Sequence, residues 1–140
     1  MSLRQATVAD IPEMQRVRSS VRENTLRDYS VLTPELYREH LEQRGRGWVY
    51  EHRGRIVGLA IANRDSSSIW ALFVEHGFER QGIGRALHDE MIRWLGSEGL
   101  RQVTLGTSPG TRAAGFYEAA GWKLRDLDTT GQAIYELRLG

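Results

Sequence analysis

Residues 74–87 read VEHGFERQGIGRAL, and they join two segments of different periodicity. The preceding residues 69–74 (IWALFV) are apolar throughout, which predicts a strand that is buried on both faces. After Gly82, apolar residues recur at helical spacing, which predicts one long helix that ends at Gly96 or Gly99. The stretch therefore predicts a buried strand, a turn with two glycines and the N-terminus of a helix.

The glycine turn is a predicted anion site. The first N–H groups of a helix have no acceptor within the helix, and the helix dipole adds positive potential at that end. Because Gly82 and Gly84 have no side chains, a phosphate or pyrophosphate can approach the backbone. Leu87 stands where a dinucleotide-binding fingerprint has its third glycine, and the Gly-Lys-Ser/Thr of a P-loop is absent, so both of those sites are disfavoured. Taken alone, the two glycines are equally explained by a turn chosen for tight packing.

The remaining segments predict a layered domain that spans residues 1–140. Asp10 and Thr33 are placed to cap two helices, the second of which ends near Gly45. Another helix is predicted over residues 111–120. Strands are predicted at residues 3–7, 48–50, 56–61, 103–105, 122–124 and 134–137, with a hairpin turn at residues 52–55. This order predicts a mixed sheet with helices on both faces, in the α/β class, or α+β by stricter definitions.

Composition excludes several classes of protein. The 140 residues are 40% hydrophobic and 26% charged, which is typical of a globular domain. There is no cysteine, the four histidines are scattered, and we therefore expect no metal site. Basic residues alternate with acidic ones at a net charge of +1, so nucleic acid is not an expected partner. Because no apolar run is long enough for a membrane span or signal peptide, we expect a cytoplasmic protein.

Two motifs in order resemble the GNAT-type N-acetyltransferase superfamily. The first is residues 80–87 (RQGIGRAL), which follow an apolar strand, and the second is residues 113–122 (AAGFYEAAGW). The resemblance implies a largely antiparallel central sheet of six to seven strands. It also implies an enzyme that moves an acetyl group from acetyl-CoA to a primary amine of a small molecule or peptide, by direct attack in a ternary complex.

The resemblance also implies roles for particular residues. The acyl-pantetheine arm of the cofactor would lie along the strand at Leu72, Phe73 and Val74, where a backbone N–H polarises the thioester carbonyl. Tyr117 matches the position whose phenol protonates the departing thiolate, although its helical spacing also fits a plain core aromatic. The residues implied in pyrophosphate binding are Arg80, Gln81, Gly82, Ile83, Gly84 and Arg85.

Two positions depart from the family pattern. Glu79 stands where Gln or Arg is usual, and we expect its carboxylate to point away from the pyrophosphate. Gly110 replaces a frequent Asn that binds the pantetheine arm, so that contact is expected to be missing. These departures favour the alternative function, a catalytically silent acyl-CoA-binding or regulatory module, whereas Tyr117 argues against it.

The acceptor side is less defined. Glu75 and His76 are the nearest candidates for a general base, and the base is left unassigned because water often serves in this superfamily. The acceptor pocket is expected near Glu23, Asp28 and Tyr29, residues that an exposed loop explains equally well. Trp70 and Trp48 are candidate walls of that pocket, with burial in the core as the alternative. Dimers are common in this superfamily, and a homodimer through the final strands is one option.

Overall fold

The computed structural model describes residues 2–140, and they form one seven-stranded sheet with helices on both faces. The four α-helices are α1 (Ile11–Ser20), α2 (Pro34–Glu39), α3 (Ile83–Ser97) and α4 (Arg112–Ala119). The strands are β1 (Ser2–Gln5), β2 (Gly45–His52), β3 (Arg55–Asn63), β4 (Ser68–Val74), β5 (Gln102–Thr107), β6 (Lys123–Leu127) and β7 (Ala133–Arg138). No helix within residues 2–140 is long and apolar enough to cross a membrane.

The sheet has the order β1-β2-β3-β4-β5-β7-β6, and its pairs are antiparallel except for β4 with β5. One core lies between the sheet and helices α3 and α4, and a second core lies between the opposite face and helices α1 and α2. Adjacent β3 residues serve different cores, since Leu59 packs in the second and Ala60 in the first. The predicted mixed, largely antiparallel sheet is confirmed.

Strands β4 and β5 touch at one end and then part. Their ladder is limited to the pair Ser68 and Thr104, next to a hydrogen bond from the Thr104 N–H to the Ser67 carbonyl (3.0 Å). Beyond that point β4 pairs with β3 alone, and Trp70 lies at a bulge between the pairs Ile61–Ala71 and Ala62–Ile69. One edge of β4 is therefore left without a strand partner.

The prediction that β4 is buried on both faces is wrong. Ala71 is buried, but the other residues of β4 are only partly buried. The physical reason is the separation of β4 from β5, because the space between the two strands opens into cavities. An apolar strand here lines a cleft and does not sit wholly in the core.

The two predicted helix starts have different outcomes. The Thr33 hydroxyl accepts a hydrogen bond from the Leu36 N–H (3.1 Å), as predicted for an N-cap, and a π-helical turn extends this helix to Gly45. Asp10 precedes α1 but does not cap it with its side chain. Its carboxylate instead accepts from the Thr7 N–H (2.8 Å) and pairs with Arg4 (2.9 Å).

Candidate active site

The N-terminus of α3 presents a group of free backbone donors. Gly82 is the N-cap in the left-handed conformation (φ +82°), and the hydrogen bond from the Ala86 N–H to its carbonyl (3.0 Å) is the first of the helix. The N–H groups of residues 82–85 donate to no atom within residues 2–140. A Cβ at Gly82 would meet nothing within 4 Å, so glycine is required there by the backbone conformation and not by lack of space. The turn therefore forms an open cradle for an anion.

A cavity of about 420 Å³ lies in front of this cradle. Its wall includes Leu72, Phe73 and Val74 on β4, and Phe116 and Tyr117 on α4. Besides His76, the lining contains four arginines and two glutamates. They are Arg22, Arg80, Arg85, Arg112, Glu23 and Glu79. The excess of arginine over carboxylate favours an anionic ligand.

Glu79 lines the first cavity, and the expectation that it points away from a pyrophosphate stays a prediction. Its carboxylate accepts from the Gly77 N–H (2.7 Å) and lies 3.2 Å from His76 Nδ1 and 3.7 Å from Arg112 Nη1. Burial raises the pKa of Glu79, but these neighbours outweigh that effect and hold the pKa below its ordinary value. The negative charge at this position is thus partly compensated by donors of the same chain.

A second cavity of about 260 Å³ adjoins the first. The two share Asn24, Leu72, Phe73, Ala113 and Tyr117, so they meet at Asn24, at β4 and at one side of α4. The loop after α1 closes this region, because the side-chain oxygen of Asn24 accepts from the Ser108 N–H (2.9 Å). A ligand in each cavity would bring the two ligands together beside Tyr117.

Tyr117 is buried yet lines both cavities. It is 6% exposed and packs edge-on against Phe116 and Trp122, with ring centroids 5.3 and 5.5 Å away. Its hydroxyl forms no hydrogen bond with another side chain or backbone group of residues 2–140. Burial raises the pKa of Tyr117 above its ordinary value of 10.0, so the phenol keeps its proton at neutral pH. This side chain can therefore donate a proton where the cavities meet.

Glu75 is a structural carboxylate. It is 9% exposed, lines neither cavity, and accepts from Arg16 (2.7 Å) and Arg55 (2.8 Å). Burial raises the pKa of Glu75, but the hydrogen bonds from Arg55 and Arg16 outweigh burial and hold the pKa below 4.5. His76, the other candidate base, is exposed and lines the first cavity.

Most of the residues implied in cofactor binding lie at the first cavity. Two do not line it, since Gln81 is exposed and the Ile83 side chain is buried in the core. Ile83 can contribute only its backbone N–H. The implied cofactor-binding residues in the lining are Leu72, Phe73, Val74, Arg80, Gly82, Gly84 and Arg85.

The candidate acceptor residues are dispersed. Trp70 lines the second cavity and stacks on His40 with ring centroids 4.0 Å apart. Glu23 lines the first cavity, where its carboxylate accepts from the Arg112 N–H (2.9 Å). Asp28 and Tyr29 line neither cavity, because the Asp28 carboxylate binds Ser30 and the Tyr29 ring lies against Arg18.

Trp48 belongs to the core, where its ring packs against Trp94 (5.7 Å between centroids). His88 is likewise buried, and its Nε2 accepts from the Trp122 Nε1–H (3.0 Å). No group of three or more His, Cys, Asp or Glu within residues 2–140 is arranged to hold a metal ion.

Sequence reasoning missed Arg18, Asn24 and Arg112. Arg18 lies four residues after Met14 on the apolar side of α1, and a charged residue in that stripe was the available signal. Asn24 adopts a left-handed conformation (φ +55°) in a loop whose path the sequence does not specify. No signal distinguished Arg112 from the other arginines.

The chain is similar in sequence to known acetyltransferases. A segment of this chain is 30% identical over 88 residues to serotonin N-acetyltransferase 2, chloroplastic, of Oryza sativa subsp. japonica. The match covers 61% of this chain and 43% of that protein. A second match is 30% identical over 69 residues to histone acetyltransferase TAP1 of Glycine max. It covers 47% of this chain and 30% of that protein. The chain thus spans less than half the length of these relatives.

Solved structures share the fold over nearly the whole chain. The PaiA N-acetyltransferase of Thermoplasma acidophilum in complex with coenzyme A has a TM-score of 0.80 at 15% identity, with 98% of each chain covered. The ribosomal-protein-S18-alanine N-acetyltransferase of Escherichia coli has a TM-score of 0.79 at 18% identity, with 99% of this chain and 94% of that chain covered. The model of the acetyltransferase (GNAT) family matches residues 12–122, a span that contains the glycine turn, β4 and Tyr117. The chain therefore belongs to the acetyltransferase (GNAT) family.

Proposed function

We propose that this protein is an N-acetyltransferase that moves an acetyl group from acetyl-CoA to the primary amine of a small molecule or peptide. The observation that carries the proposal is the meeting of two cavities at β4 and Tyr117. One cavity has an anion cradle suited to the donor, and the other is free for an acceptor. Both substrates are then bound at once, and the amine attacks directly in a ternary complex.

The first cavity fits coenzyme A on three counts. The free N–H groups of residues 82–85 suit a pyrophosphate, and Arg22 and Arg80 form no ion pair within residues 2–140 that would compete for it. The unpaired edge of β4 suits the amide groups of the pantetheine arm. Acetyl-CoA supplies an acyl group activated as a thioester, and unpaired backbone N–H groups of β4 are donors that could polarise its carbonyl.

Tyr117 is assigned the role of general acid. Two observations support this role: the raised pKa keeps the phenol protonated, and Tyr117 lines both the proposed donor cavity and the proposed acceptor cavity. A thiolate that receives this proton leaves as a neutral thiol, and the proton that the attacking nitrogen loses as the amide forms restores the phenol of Tyr117.

The amine has to lose a proton before it attacks. The lining of the second cavity contains no Asp, Glu or His side chain. Neutral amine is therefore favoured by the removal of water around it, and the proton goes to solvent without a dedicated side-chain base. The pKa of an alkyl amine, about 10.4, lies some three units above pH 7. Forming the neutral amine at that pH therefore costs about 4 kcal/mol. Turnover is accordingly expected to rise with pH toward the pKa of the amine, with no loss from ionisation of Tyr117 in that range.

The test is the variant Tyr117→Phe, assayed by release of free thiol from acetyl-CoA. We expect kcat to fall by about 100-fold or more, the range for a lost general acid, while the KM for acetyl-CoA changes little. Tyr135→Phe is the matched control, because Tyr135 is also buried but its hydroxyl binds Glu118 (2.6 Å) outside both cavities. Full turnover by Tyr117→Phe would remove the acid role. Failure of the parent protein to acetylate any amine, despite binding acetyl-CoA, would favour the silent module.

A further inference from the structure

We propose that the acceptor is a small amine that carries a carboxylate, and that the guanidinium of Arg18 binds this carboxylate in the second cavity. This inference rests on the proposed function and names the substrate class for the same site.

Arg18 is a buried cation without an anionic partner. It is 8% exposed, and it forms no ion pair with a carboxylate within residues 2–140. Its Nη2 donates to the Asn24 carbonyl (2.8 Å), and its guanidinium carbon lies 4.1 Å from the centre of the Phe73 ring. Its Nη1 is buried and has no hydrogen-bond acceptor within residues 2–140. Burial accordingly lowers the pKa of Arg18 from its ordinary value.

Arg16, on the same helix, is an arginine whose positive charge is compensated by carboxylates. Its guanidinium binds Glu75 (2.7 Å), Glu13 (2.9 Å) and the Ile56 carbonyl (2.7 Å). Buried charges in proteins are as a rule paired, since an unpaired charge is costly to remove from water. The uncompensated charge of Arg18, which lines the second cavity, is therefore best explained by an anionic partner that arrives with a ligand.

The lining of the second cavity points to the charge of that ligand. Arg18 is its one charged side chain, and its other polar side chains are neutral. These neutral polar residues are Asn24, Thr25, Tyr37, Trp70, Thr107, Ser108, Tyr117 and Gln132. Such a cavity repels an ammonium and attracts an anion, so it favours both the neutral form of the amine and a carboxylate elsewhere on the same molecule.

The size of the cavity limits the distance between these two groups. A volume of about 260 Å³ holds a small molecule, with its carboxylate at Arg18 and its amine toward Tyr117. An amino acid carries both groups in a molecule that such a volume can hold. A carboxylate also matches a guanidinium donor better than a neutral amide does, because the hydrogen bond is charge-assisted.

A purely structural role for Arg18 is the competing explanation. Its bond to the Asn24 carbonyl holds the loop after α1, and the Asn24 side chain binds Thr107 (3.2 Å) and Ser108 (2.9 Å). A loop support would affect all acceptors alike. A carboxylate site would affect only acceptors that carry one.

The experiment compares alanine, methionine and phenylalanine with their carboxamides, using acetyl-CoA and thiol release, at equal concentrations of neutral amine. We expect the parent to prefer at least one amino acid over its carboxamide by 10-fold or more in kcat/KM. In Arg18→Gln that preference should disappear, mainly through a higher KM for the amino acid, with the carboxamide changed less than about threefold. Arg18→Lys should restore part of the preference. Equal losses for both members of each pair, or no preference in the parent, would overturn the proposal.

Thermal unfolding supplies a readout that does not depend on turnover. We expect Arg18→Met to melt at or above the temperature of the parent, because it removes an uncompensated buried charge, whereas Arg16→Met melts lower. N-acetyl derivatives of the three amino acids should raise the melting temperature of the parent but not of Arg18→Gln. If Arg18→Met is destabilised as much as Arg16→Met and no N-acetyl amino acid binds the parent, Arg18 is structural and the proposal fails. Absence of turnover with every amine would overturn the proposed function, while the melting shifts would still decide the carboxylate site.

Discussion

Glu75 illustrates how a residue next to the site acquires a structural role. It follows β4 directly, which made it a candidate general base in the sequence. Both of its carboxylate oxygens, however, accept hydrogen bonds from arginines. Its backbone continues the strand, since the Glu75 N–H donates to the Val57 carbonyl (2.8 Å). A carboxylate held in this way joins α1 and β3 to the end of β4 and has no oxygen free for proton transfer.

Glu75→Gln tests that account. We expect the free energy of unfolding at pH 7 to fall by about 1–3 kcal/mol, since two arginines lose their charged partner in a partly buried place. Turnover of the folded variant should stay within about threefold of the parent, because Glu75 lines neither cavity. Denaturant unfolding and thiol release provide the two measurements, and a folded but inactive variant would return Glu75 to the list of candidate bases.

The same ion pairs predict a pH dependence. The pKa of Glu75 is held below its ordinary value of 4.5, so its contribution to stability is complete above that pH and is lost as the pH falls through the pKa of the folded state. The stability difference between the parent and Glu75→Gln should therefore shrink between pH 7 and pH 3. A difference that stays constant over this range would contradict the assigned ion pairs.

The sequence predicted some residues of the candidate site and missed others. Gly82 and Gly84 stood out because glycines in a turn before a helix let an anion approach the backbone, whereas Tyr117 was selected only through the family resemblance. The position of Arg18 in the apolar stripe of α1 was a sequence signal that it is buried, but only the structure shows that this guanidinium has no carboxylate partner within residues 2–140. The turn of Glu79 back toward Gly77 and His76 depends on a local loop conformation that residue type does not fix.

At the scale of elements, β4 shows the limit of periodicity. Its apolar run correctly indicated a strand, but an apolar run does not distinguish burial in a core from lining of a cleft. The separation from β5 and the bulge at Trp70 arise from tertiary packing. Those two features create the free strand edge and the cavities on which the proposed chemistry depends.

Helix α3 has to approach the sheet closely to place its N-terminus. A Cβ on Gly58 of β3 would lie 2.9 Å from Leu87 Cδ1 and 3.0 Å from Ile83 Cγ2, closer than packed atoms allow. Gly58→Val should therefore push α3 outward and lower stability by about 1–3 kcal/mol, as overpacking does. Because Ile83 begins the helix, affinity for acetyl-CoA should fall as well.

Gly96→Ala is the matched control for α3. A Cβ at Gly96 would meet nothing within 4 Å, and an alanine within a helix is favoured over glycine by about 0.5–1 kcal/mol. Denaturant unfolding of both variants should thus show changes of opposite sign. Equal stability of Gly58→Val and the parent would mean that α3 does not pack on β3 as described.

At the scale of the whole molecule, the order of strands and helices follows from local signals that agree with one another. Turn residues such as Gly54 and Gly99 adopt positive φ where the sequence predicted a hairpin and a helix end. The second cavity, which we propose as the acceptor pocket, was harder to predict, because it forms where α1, α2, β4, β5, α4 and the loops between them converge. No single segment of sequence specifies such a cavity. Of the four residues predicted to bind the acceptor, two, Asp28 and Tyr29, lie outside both cavities.

The central claim is that the glycine turn and the edge of β4 bind the donor, and thermal unfolding with and without acetyl-CoA tests it most directly. At about 100 times its dissociation constant, the ligand adds about 2.7 kcal/mol, which should raise the melting temperature of this domain by about 5–10 °C. Gly84→Asp should fold, because an acid in the first turn of a helix is favourable and the new Cβ would meet Val74 only at 3.5 Å.

Gly84→Asp should nevertheless lose the shift, because its carboxylate repels the pyrophosphate, whereas Gly84→Ala should retain most of it. A shift in the parent and in Gly84→Ala that is absent in Gly84→Asp is the predicted result. An unshifted parent, or an equal shift in all three proteins, would contradict donor binding at this turn.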